Sequence, residues 1–317
     1  QNNAGGTANN AFGRQAANNN TSGSGISAFG SYALTSNSTG NYNTAFGSES
    51  LYNNTTASNN TAVGYQAGYA NTTGENNVAL GRAALISNTT ASVNTALGDS
   101  SLRSNTTGAS NTAVGASALY SNTTASNNTA VGYQAGYANQ TGTNNAFFGR
   151  QAGYSTTTGV AVTAIGDIAA YSNTTGTNVT AFGYQAAYTS NNGTITAIGQ
   201  QSLYSNTSGF DLTALGYQAL NKNTTGAQSV GLGFQALYNN TTANNNTAVG
   251  YQAGYSNTTG TLNAFFGTLA GYYTTSSYNT FTGYKAGYYA TGSQNDAFGV
   301  GALSGLNGAT TGTLNTA

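Results

Sequence analysis

Residues 59–98 read NNTAVGYQAGYANTTGENNVALGRAALISNTTASVNTALG, and within them Val63-Gly64, Leu80-Gly81 and Leu97-Gly98 recur at one phase. Working outward, the same glycine returns at 13, 30, 47, 64, 81, 98, 115, 132, 149, 166, 183, 199, 216, 233, 250, 267, 283 and 299. Fourteen of the seventeen intervals are 17 residues and three are 16. So short a period leaves no room for two packed helices and suits one coil of a β-solenoid stacked on its neighbours. The expected fold is all-β: a parallel β-solenoid, or β-roll, of about 18 coils with a 17-residue period. Residues 1–317 read as a single continuous array, with no linker and no break in composition.

With each glycine as position zero, the columns have distinct characters. Position −1 is Phe, Val, Ile or Leu in every coil except at Thr282, and position −2 is almost always Ala. Position +3 is Ala or Ser throughout, +4 is mostly Leu or Gly, and +5 is often Tyr. An Ala column fits walls too close for a larger side chain. A Gly column fits positive φ or close backbone approach at a corner. The pattern predicts one strand at −4 to −1, a corner at Gly64, Gly81, Gly98, Gly115 and Gly132, and a second strand near +1 to +5. Val63, Leu80 and Leu97 then form a ladder. The −1 residues either thicken a thin core or form a seam between chains. We place them inside, leaving the Leu and Tyr columns for chain-to-chain packing. Arg82 and Asp99 share the +1 column one coil apart, about 4.8 Å along the axis.

Charged residues are 4% of the chain and the net charge is zero, which argues against a grip on nucleic acid or anionic membrane. No apolar run approaches the ~20 residues of a membrane span. There is no His or Cys, and Glu49, Glu75, Asp99, Asp167, Asp211 and Asp296 are scattered over separate coils. Acid–base and nucleophilic catalysis lack their groups, metal ligands do not cluster, and no cofactor is expected. The chain reads as a non-enzyme.

Two Asn columns stand out. The −4 column, from Asn43 to Asn295, reads as an amide ladder. The +7 column contains Asn54, Asn71, Asn88, Asn105, Asn122, Asn139, Asn173, Asn206, Asn223, Asn240 and Asn257. Each opens an Asn-X-Ser/Thr triplet in an expected exposed turn, so each is a candidate N-glycosylation site. Longer blocks also recur: the segment from Asn127 returns from Asn245. The chain does not begin with Met and closes on Leu314-Asn315-Thr316-Ala317, the opening of another coil. The expectation is an array that continues further, or subunits that stack end to end.

The unit NTAVGYQAGYANTTG resembles the repeats of bacteriophage tail-fibre shafts and of YadA-type trimeric autotransporter adhesin heads, over almost the whole chain. The resemblance implies a left-handed parallel β-roll, three chains around one axis, and an extracellular, cell-surface or virion location. Adhesin heads often have coils nearer 14 residues, so the spacing here matches the tail-fibre variants better. The function expected is a structural subunit of an extracellular fibre or filament that self-associates, as a homotrimer or end to end. The alternative is an adhesin or receptor-binding fibre whose Tyr columns contact surface glycans. Ice binding through Thr61, Thr95, Thr112 and Thr129 at −3 is a third reading, interrupted by Val78 and Ala146.

Overall fold

A computed structural model describes residues 6–305. The closing residues 314–317 and the expectation attached to them lie outside these. The chain divides into two compact units, Gln1–Ala161 and Val162–Ala317. Each is a parallel β-solenoid of the same coil. The described residues contain eighteen short strands, from Asn10–Phe12 to Asp296–Phe298, and no helix. Nearly all are three residues long and end one residue before the coil glycine. Within each unit, sequential strands pair parallel and in phase: Val63 lies opposite Leu80, and Leu80 opposite Leu97. Strands lengthen to four residues at Val179–Phe182, Ile195–Ile198 and Leu212–Leu215. There an aliphatic residue replaces the −4 Asn, although Ile26 and Val162 at the same position leave their strands at three residues.

The corner falls where expected. From Gly13 to Gly283 the corner glycines have φ between +127° and +141°. A Cβ on Gly98 would lie 2.6 Å from the carbonyl carbon and oxygen of Gly115 in the next coil. Backbone packs on backbone along this column, so only glycine fits.

The second strand is absent. Residues +1 to +6 form overlapping turns, with +2 and +4 in the left-handed region, such as Gln66 at φ 56° and Leu85 at φ 50°. Alternate amides close turns within the coil, as Ala67 donates to Gly64 and Tyr69 to Gln66. The others bond to neighbouring coils, as Gly68 donates to the Ala84 carbonyl at 2.9 Å and Gln66 to Ser48 at 3.0 Å. This is an axial ladder without extended backbone.

The core also departs from expectation. Along each strand −2 points inward and −1 outward: Ala62 is fully buried, while Val63 is 40% exposed. The ladder of Val63, Leu80 and Leu97 is therefore an outer row. The +4 leucines, expected at a seam, are inside; Leu51, Leu85, Leu102 and Leu119 are all buried. The interior consists of the −4, −2, +3, +4, +7 and +10 columns.

Its volume is balanced between columns. Where −2 carries Phe instead of Ala, +4 carries Gly: Phe147 fills the space beside Gly136 and Gly153, and Phe265 that beside Gly254 and Gly271. Gly68 has only Ala62 and Ala79 nearby at −2, and a void of about 10 Å³ remains between Leu51 and Leu85.

Candidate functional site

The +7 asparagines are buried, not displayed in a turn. Asn54, Asn71, Asn88, Asn105, Asn122, Asn139, Asn173, Asn206, Asn223, Asn240 and Asn257 are each at most 2% exposed. Their amides bond along the axis: Asn71 Nδ2 donates to Asn54 Oδ1 at 2.8 Å, and Asn88 Nδ2 to Asn71 Oδ1 at 2.9 Å. The nitrogen that would carry a glycan is engaged inside the fold, which corrects the glycosylation expectation for this column. Nothing in a triplet motif distinguishes an amide facing inward from one facing water.

The two Asn columns act together. Asn71 Nδ2 also donates to the Gly74 carbonyl at 2.9 Å, and Asn60 Nδ2 donates to that same oxygen at 2.8 Å. Asn60 Oδ1 in turn accepts the backbone N–H of Asn77 at 2.9 Å. Thus one carbonyl is held by two amides, one from the −4 column and one from the +7 column, and both amides tie to adjacent coils. The arrangement repeats at Ala91, Gly108, Ala125 and Gly142. Buried polar groups are tolerated here because they are bonded.

The ladder stops at Thr156, where a +7 Asn would otherwise stand. Asn139 Oδ1 and Thr156 Oγ1 are both buried without a hydrogen-bond partner. A Thr156→Asn substitution places a donor where the lower coils have one. It should stabilise the protein by about 1–2 kcal/mol, read as a rise in Tm of about 2–4 °C. An unchanged or lower Tm contradicts the ladder reading.

The outward face carries the recognisable chemistry. The −1 row is an apolar stripe: Phe46, Phe148, Phe182 and Phe266 are 38–53% exposed. Phe12, Phe29 and Phe46 stack in succession at 5.2 and 4.5 Å. The +5 tyrosines stack as well: Tyr120, Tyr137 and Tyr154 at 5.0 and 5.1 Å, and Tyr238, Tyr255 and Tyr272 at 5.2 and 5.0 Å. Burial first, then neighbouring phenols, raises the pKa of Tyr188, Tyr272 and Tyr288 above the ordinary tyrosine value, so these rings stay neutral. The +2 column, which the sequence reading passed over, is a glutamine ladder: Gln185, Gln201, Gln218, Gln235 and Gln252 bond in sequence at 2.8 Å. Its signal was the repeated Tyr-Gln-Ala triplet.

Cations lie against rings or acids. Arg82 Nε meets Asp99 Oδ1 at 2.7 Å, as their shared column implies. Arg14 lies over Tyr32 and Lys222 over Tyr238, each at 5.0 Å, and Arg103 lies over Tyr120 at 5.8 Å. Among the described residues no three His, Cys, Asp or Glu side chains come together as a metal site. No helix there is long and apolar enough to cross a membrane.

No family model matches the chain, and no curated protein matches it.

Proposed function

We propose that this chain is a non-enzymatic structural subunit of an extracellular fibre or filament, displayed on a cell surface or virion, of the kind that the tail-fibre and adhesin-head resemblance implies. The observation that carries it is the division of labour within most of the described coils. Polar groups are spent inside on axial bonds, while the apolar −1 stripe faces outward along each unit. A stripe of that kind suits self-association, because side chains left half-exposed in one chain are covered by a second. The resemblance favours three chains.

The test is mass in solution. Light scattering behind size exclusion should report an oligomer, with a trimer favoured. Val63→Asp, Leu80→Asp and Leu97→Asp together should shift it to monomer without altering the far-UV circular dichroism. A parent protein that is monomeric at micromolar concentration contradicts the proposal.

The adhesin reading retains one support. Tyr65 and Tyr133 at +1 are 50% and 52% exposed and have no ring stacked on them. In the +5 stacks, by contrast, ring faces are occupied by other rings, which removes the platform a sugar needs. Glycan-array binding abolished by Tyr65→Ser and Tyr133→Ser would favour the adhesin. The −3 threonine row is broken by Val78 and Ala146, so it offers no unbroken lattice to ice.

A further inference from the structure

We infer that the hollow lined by Tyr32, Glu49, Tyr52 and Tyr69 binds a small organic cation of the quaternary-ammonium class. It has a volume of about 340 Å³ and opens to solvent. It exists because one coil departs from the column pattern. The coil of Gly30 carries Thr35 at +5 instead of Tyr, and Tyr32 at +2 instead of Gln. Thr35 is buried and turns its hydroxyl to the Gln15 carbonyl at 3.1 Å. Tyr32 therefore meets Tyr52 tilted at 52° with centroids 6.2 Å apart, whereas Tyr52 and Tyr69 stack at 5.2 Å and 14°. Tyr69 covers one face of Tyr52, and the other is turned towards Tyr32.

The charge completes the site. Glu49 stands in the +2 column where Gln66 follows it, and Gln66 Nε2 donates to Glu49 Oε2 at 2.8 Å. Glu49 lines the hollow beside the three rings, and among the described residues it makes no ion pair. Arg14 over Tyr32 already shows this ring accepting a cation. A quaternary ammonium is weakly hydrated and is drawn to ring faces by their quadrupole. A metal ion or primary ammonium would hold its water more strongly, and a neutral sugar would leave the carboxylate unpaired. The inference is independent of the fibre proposal.

The experiment titrates the full chain with tetramethylammonium chloride, following tyrosine-ring NMR signals, against neopentyl alcohol as the neutral isostere and KCl at equal ionic strength. Tetramethylammonium should shift Tyr32, Tyr52 and Tyr69 saturably, and the alcohol should bind at least tenfold more weakly. Glu49→Gln should weaken the cation about tenfold, and Tyr52→Ile comparably. Both variants keep the fold, because Gln66 and Ile86 occupy the same columns in neighbouring coils. Equal binding of the alcohol, unchanged affinity in Glu49→Gln, saturation by a methyl glycoside instead, or shifts absent from these rings would overturn the inference.

Discussion

Asn88→Asp should destabilise the protein by about 4–5 kcal/mol at neutral pH, although one amide becomes an acid of the same shape. Asn88 Nδ2 donates to Asn71 Oδ1 and to the Ala91 carbonyl, both at 2.9 Å, while its Oδ1 accepts from Asn105 at 2.9 Å. A carboxylate keeps only the last of these. It sets oxygen against oxygen twice, in a site 1% exposed. Burial and the facing lone pairs raise the folded pKa of the new acid above its unfolded value of about 3.9. The ionisation part of the penalty is then absent below that value, grows as pH rises, and is complete above the folded pKa, while the one donor bond that a neutral acid cannot replace is lost at every pH. Urea titrations should show a much smaller deficit at pH 3.5 than at pH 7. A deficit under about 1 kcal/mol at pH 7 contradicts a buried ladder.

Gly136→Leu should cost about 3–5 kcal/mol, whereas Gly68→Leu in the same column should change stability by less than about 1 kcal/mol. The backbone is not the difference, since Gly136 and Gly68 have φ of 59° and 61°, and leucines occupy this column at φ near 50°. The neighbours decide. A Cβ on Gly136 would lie 2.5 Å from Phe147 Cδ2 and 2.9 Å from Leu119 Cδ2. A Cβ on Gly68 would lie 3.0 Å from Leu51 Cδ2 and 3.8 Å from Ala62 Cβ, at the edge of the void. Burying a leucine contributes about 2–3 kcal/mol, and the left-handed backbone together with the displacement of Leu51 offsets most of it, because the void holds only about 10 Å³. Phe147→Ala alone should also be costly, yet combined with Gly136→Leu the loss should be smaller than for either change singly. Additive losses in chemical denaturation would remove the volume-exchange account.

The period and register were legible in the sequence, because a repeated glycine fixes phase without any statement about faces. Val63, Leu80 and Leu97 pair as their spacing requires. What was misread was inside and outside. Spacing places the −1 apolar residues in the core and exposes the +7 asparagines in a turn, and the structure reverses both exposures. The signal lay in variance. The −1 column accepts anything from Val to Phe, which a tight interior cannot do, while −2 holds to Ala. Likewise Phe147, Phe265 and Phe281 interrupt the Ala column at −2, and the glycines at +4 in the same coils are the compensating half of that signal. The second strand failed for a different reason. Residues such as Leu85 and Gln66 sit in left-handed backbone that their intrinsic preferences disfavour, and only contacts between coils hold them there. The hollow beside Glu49 was invisible because it depends on the tilt of one ring.

The interior amides bond from coil to coil in an unbroken run from Asn20 to Asn139. Hydrogen exchange of side-chain amides by NMR tests it most directly. The Nδ2 protons of Asn71, Asn88 and Asn105 should exchange as slowly as strand backbone amides, while those of exposed Asn76 exchange at the rate of a free amide. Equal, fast exchange at all four would contradict the account.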